Sequence, residues 1–176
     1  MSTQAGLVTV EEFLKLPPAK GGHYELHHGE VILVTAPKWG HHRIQKRVEL
    51  VLNELIGADG EVSIEVSFQP TPEHEVWVAD VAFVRAERIN VVGDDEYLQG
   101  APELVVEVLS PSNTVAEMND KMSICMENGC SCFWVVDPKR QVVSVTEGNV
   151  TRHYGVSASI PCDLAGGEIA VREIFE

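Results

Sequence analysis

Residues 100–121 read GAPELVVEVLSPSNTVAEMNDK, and the fold is decided here. The centre of the stretch, ELVVEVL at 103–109, is a nearly continuous β-branched run, as expected of a strand covered on both faces. Ser110-Pro111-Ser112 breaks it, and a helix is predicted from about Thr114 to Asn128, where Gly129 is placed to stop it. Val115, Met118, Met122, Cys125 and Met126 fall on one side of that helix. EVWVADVAFV at 75–84 has the same character as 103–109, and the two runs are expected at the heart of a sheet. Each carries one acid, Glu107 in the first and Asp80 in the second.

Working outward, Thr9 followed by Glu12 matches a capping box opening a short helix that ends before Pro17-Pro18. HYELHHGEVILVTA at 23–36 reads as a hairpin turning at His27-His28-Gly29. From Gly40 to Ile56, Ile44, Val48, Val51, Leu52 and Leu55 recur three or four apart and form the packing stripe of an amphipathic helix. Residues 61–69 alternate as a strand, and further strands are expected at 132–136, 141–146 and 149–154. Residues 86–100, with Asp94-Asp95-Glu96, read as an exposed connection. The fold class is therefore α/β or α+β, a mixed sheet flanked by helices with an N-terminal hairpin, and residues 1–176 are expected to form a single domain.

Lys and Arg number 13 against 27 Asp and Glu, a net charge of −14 that repels polyanions and acidic membranes at long range. No apolar run reaches the roughly 18–20 residues that span a bilayer, and a cytoplasmic location is expected. Cys125, Cys130, Cys132 and Cys162 then act as small buried hydrophobes. No CxxC pair suggests zinc, and His41 and His42 belong to no HExxH or helical HxxxH spacing.

An ionised carboxylate taken out of water costs several kcal/mol unless something compensates it. For Asp80 and Glu107 the compensation is either a hard divalent cation, with Glu25 of the first strand also converging on it, or hydrogen bonds from a loop or an arginine. Lys121 lies at the edge of the apolar face of its helix, able to lean toward the sheet or to pair with Glu117 one turn earlier.

These segments resemble a known family. VEEFLKLP, HYELHHGEV, APKWGHHRI, VADVAFV, GAPELVVEVLSPS and CFWVVDP, spread over residues 10–138, are similar to the Uma-two family of restriction-endonuclease-like proteins, whose fold is that of the PD-(D/E)xK nucleases. The resemblance implies metal-binding acids at Asp80 and Glu107, a helix-borne lysine at Lys121, an auxiliary acid at Glu25 and a histidine, His41, opening the first long helix. Three positions depart from the pattern: Ala79 stands where the wider group has proline, Leu109 where it has lysine, and Cys125 where the family has tyrosine.

The resemblance further implies a Mg²⁺- or Mn²⁺-dependent endonuclease cleaving phosphodiester bonds, with DNA as its partner; a homodimer, formed through the sheet edge or the hairpin, is the expected assembly. The charge stands against it, because the one basic patch the sequence offers, Lys38, Arg43, Lys46 and Arg47, reads first as an ordinary solvated helix face. An inactive nuclease-fold interaction module and a hydrolase of a small phosphorylated substrate stay open.

Overall fold

The computed structural model describes residues 6–93, 96–164 and 166–176. In chain order the elements are α1 (Val10–Phe13), β1 (Gly22–His27), β2 (Glu30–Thr35), α2 (Trp39–Ile56), β3 (Gly60–Gln69), β4 (Trp77–Arg85), α3 (Ala86–Ile89), β5 (Leu98–Gln99) and β6 (Leu104–Val108). They continue as α4 (Val115–Glu127), β7 (Cys132–Asp137), β8 (Val142–Glu147), β9 (Val150–Gly155), β10 (Ser159–Cys162), β11 (Gly167–Ala170) and α5 (Val171–Phe175).

Seven strands form one mixed sheet in the order β5-β3-β4-β6-β7-β8-β9. The apolar runs β4 and β6 lie inside it, as their lack of alternation requires. β6 and β7 are parallel and α4 makes the crossover between them, while β7, β8 and β9 form an antiparallel meander. The β1–β2 hairpin is a separate two-stranded sheet, tied to the start of β4 by reciprocal 2.8 Å bonds between Leu26 and Val76.

Helices cover both faces. Ile44, Val48, Leu52 and Ile56 of α2 pack with Ile174 of α5 on Val81, Phe83, Val106 and Val108. Cys125 of α4 packs with Phe68, Trp77, Val105 and Phe133 on the opposite face. All four cysteines are buried, consistent with service as small hydrophobes.

Two expectations are corrected. Residues 86–100 are not simply an exposed connection: α3 forms within them, Leu98 is buried, and Ile89 and Val92 pack on the core. Arg88 anchors the segment through Ala101 O, Gln99 O and Glu103. Asp94 and Asp95 lie outside the described residues, and Glu96 is exposed. Val115 is not on the packed side of its helix; it is 79% exposed in the first turn of α4, whose buried residues are Lys121 and Cys125.

Candidate active site

The site is a fork in the sheet. β4 and β6 pair at Val81↔Val106, Ala82↔Val105 and Phe83↔Leu104, and the next step of that register would set Asp80 opposite Glu107. The pairing stops there. Backbone groups beyond the fork still need partners, and three candidate residues supply them. Asp80 Oδ2 accepts from Val108 N at 2.6 Å, Glu25 Oε2 accepts from Val78 N at 3.3 Å, and Lys121 Nζ donates to Val78 O at 2.7 Å.

The neighbouring ladder is interrupted at the same level. β3 and β4 pair at Ile64↔Val81 and again at Val66↔Ala79, with Glu65 and Asp80 skipped between them. Glu65 has φ +53°, a left-handed conformation that costs a non-glycine residue about 1–2 kcal/mol. Across this step both strands exchange faces: Val62, Ile64, Val81 and Phe83 pack under α2, whereas Val66, Phe68, Trp77 and Ala79 pack toward α4.

Glu107 and Lys121 are 6% and 5% exposed, and Lys121 Nζ stands 2.7 Å from Glu107 Oε1. The contact is a charged one, with the ammonium facing the buried carboxylate oxygen. Trp77 lines the lysine's path with Nζ 5.7 Å from its ring centroid, and Trp77 Nε1 donates to Glu75 Oε2 at 2.6 Å. Lys121 does not pair with Glu117, whose carboxylate closes the capping box with Thr114.

In β1, residues two apart share a face, so His23, Glu25 and His27 point together. Glu25 accepts from His23 Nε2 at 3.1 Å and from His27 Nε2 at 2.8 Å, while the His27 ring stacks on Trp77 at 3.7 Å. At the hairpin corner His28 reaches Asp120, next to Lys121, at 2.8 Å and Glu75 at 3.0 Å, pinning the hairpin to α4. From α2, His41 Nε2 and Gln45 Nε2 both reach Asp80 Oδ1 at 2.9 Å. Gln45 is 0% exposed; its Nε2 also donates to Glu65 Oε1, and its Oε1 has no hydrogen bond.

Carboxylates outnumber lysines and arginines in this cluster. Burial pushes Glu107 up, Lys121 pulls it back and Asp80 pushes again, leaving it above the usual carboxylate range. Burial would lower the Lys121 ammonium, but Glu107 and Glu25 outweigh it and hold it above the ordinary lysine value. Glu25 is depressed well below the carboxylate range: burial opposes this, and the hydrogen bonds from His23 and His27 prevail. For His41, burial is outweighed by the bond to Asp80, and its pKa is raised.

Asp80, Glu107, Lys121, Glu25 and His41 are thus drawn into one cluster linked through shared partners. His42 stands apart, tilted against Trp39 with ring centroids 6.0 Å apart. Sequence reasoning missed Gln45, Glu65, His23, His27 and Trp77. His23 and His27 had a readable signal, two imidazoles flanking an acid on one strand face. So did Gln45, a polar residue beside Ile44 and three before Val48 on the packing stripe.

Among the described residues, no group of three His, Cys, Asp or Glu is placed to hold a metal ion. The cluster nevertheless fits a cation that asks little of the protein. Mg²⁺ keeps several waters and is bound by one or two carboxylates plus substrate phosphate. Asp80 and Glu107 are carboxylates of the kind such a cation takes, and the buried Gln45 Oε1, which has no hydrogen bond, is an acceptor suited to one of its waters.

A mixed sheet flanked by helices on both faces is the architecture of a restriction-endonuclease-like protein. The chain belongs to the Uma2 family, described as "Putative restriction endonuclease", whose pattern matches residues 10–171. It is similar to the crystal structure of a protein from Anabaena variabilis described as a "putative nuclease belonging to DUF820". That likeness has a TM-score of 0.81 and 22% identity, and it covers 96% of this chain and 97% of the other. No curated protein matches the chain. No helix among the described residues is long and apolar enough to cross a membrane.

Proposed function

We propose that this protein hydrolyses phosphodiester bonds in nucleic acid with the help of a divalent cation, Mg²⁺ or Mn²⁺, held by Asp80 and Glu107. The observation that carries the reading is the burial of Lys121 beside Glu107, at 2.7 Å, in a cluster where carboxylates outnumber lysines and arginines. A buried ion pair is weak support for stability, so its presence calls for another use.

The cation supplies charge that polarises the scissile phosphate. Asp80 is held for this task by Val108 N, His41 and Gln45, three donors from two elements. Lys121, anchored on Val78 O, offsets negative charge that grows on the phosphate and orients the attacking water. Glu25 fixes Val78 from the other side and helps keep Lys121 charged. His41, with its pKa raised, is a proton donor to the leaving oxygen.

One observation favours a second reading, a small phosphorylated substrate. The basic patch is partly spent: Arg47 donates to the backbone oxygen of Glu176, and Lys46 pairs with Glu49. Plasmid nicking in Mg²⁺ and in Mn²⁺ tests both. The wild type should nick, with the rate falling by about 10²-fold or more in Asp80→Asn and Lys121→Met. Undiminished nicking in both variants contradicts the site. Hydrolysis of a small phosphodiester without cleavage of any nucleic acid transfers support to the second reading.

A further inference from the structure

Beside the acidic cluster lies a half-open cavity of about 520 Å³, the size range of small-ligand sites. Its walls include Phe13, Pro17, Tyr24 and Tyr97, and on the side facing the cluster His23 and Glu65. His23 hydrogen-bonds Glu25, and Glu65 shares the Gln45 amide with Asp80, so the cavity adjoins the groups that would bracket a scissile phosphate. Among the described residues no lysine or arginine lines it, which makes it a poor seat for a phosphate. Tyr24 and Tyr97 are half-buried, and among the described residues their hydroxyls have no protein partner. The occupant that fits is flat, uncharged and edged with hydrogen-bonding groups.

We propose that this cavity takes one unpaired nucleobase of the substrate, next to the bond that is cut. The inference rests on the nuclease reading and narrows it to single strands, or to duplexes with a base out of the stack. It also reconciles nucleic-acid binding with a net charge of −14, because aromatic stacking holds a base without phosphate contacts.

The test is binding in EDTA, where no cation supports turnover, of a short single strand carrying 2-aminopurine, of the same strand annealed to its complement, and of 2-aminopurine nucleoside alone. The single strand should bind about tenfold or more tighter than the duplex and the nucleoside, with its fluorescence altered on binding. Tyr24→Ala should weaken it by about 5- to 150-fold, and Tyr24→Phe should retain most of the affinity. Tyr24 also packs near Phe13 and Leu26, so a second variant avoids a folding defect. Leu14→Glu, at a cavity residue that is 60% exposed, should weaken binding through charge alone. Equal binding of single strand and duplex, or wild-type affinity in both Tyr24→Ala and Leu14→Glu, overturns the inference and leaves plasmid nicking untouched. Absence of both binding and nicking in the wild type sinks the nuclease reading and this inference with it.

Discussion

Lys121 has exchanged water for a carboxylate, a backbone carbonyl and the face of an indole. Replacing it with methionine leaves Glu107 buried without its cation, so Lys121→Met should lower stability by about 3–5 kcal/mol, read as a shift in urea midpoint, besides stopping nicking. Glu25 gives a prediction in pH. Its folded pKa lies below the unfolded value of 4.5, so its stabilisation is present above about pH 4.5 and is lost as pH falls toward the folded value. The stability gap between wild type and Glu25→Gln should therefore be widest near about pH 6 and narrow by about pH 3. A gap independent of pH would show that Glu25 is not held ionised. Asp80 and Glu107 were legible because a charge inside an apolar run is costly wherever the run is buried. Lys121 was legible only through the family resemblance, since on spacing alone Glu117 offered a surface partner of equal geometric merit. That ambiguity ends only once Glu117 is seen to be committed to Thr114. Nothing in the sequence foretold Glu65 at positive φ, because a left-handed acid is imposed by the ladder around it.

The element that matters most is α4, because it carries Lys121 to the sheet. Its start is fixed by the Thr114 capping box, in which Thr114 Oγ1 accepts from Glu117 N at 3.2 Å and Glu117 Oε2 accepts from Thr114 N at 2.8 Å. Thr114→Ala should cost about 1 kcal/mol in urea denaturation and reduce nicking by less than Lys121→Met does. A loss of activity equal to that of Lys121→Met would place Thr114 in the chemistry itself. The hairpin is the second positioning element, and Gly29 has φ +76° at its corner, where a Cβ would come within 2.6 Å of Leu7 Cβ. Both long helices, the hairpin and the main strands could be read from periodicity and turn residues. The two-residue β5, the short α3 and the β10–β11 pair could not, because elements of two to four residues carry too few positions to display a period. The alternation of β3 was visible, but its change of face at Glu65 was not, since a broken ladder pair leaves the sequence pattern intact.

At the scale of the molecule, the charge of −14 sets how a nucleic acid is held. With Arg47 and Lys46 engaged inside the chain, Lys38 and Arg43 are what the basic patch leaves for phosphates. The logarithm of affinity should then fall with the logarithm of salt with a slope of only about −1 to −2, against about −0.9 for each duplex phosphate neutralised. A steep slope would reveal a basic surface formed on binding. The sheet order and the convergence of its acids depend on strand pairing, so composition could bound the fold class without assembling the fork. That assembly leaves the buried Gln45 Oε1 without a donor beside the two acids, and a calorimetric titration with Mn²⁺ tests the proposed cation site most directly. Wild-type protein should release or absorb heat on binding about one ion or more per chain, and Asp80→Asn and Glu107→Gln, each confirmed as folded, should lose that heat. A wild type without a binding signal, or variants that bind Mn²⁺ as it does, would contradict the cation site on which the chemistry depends.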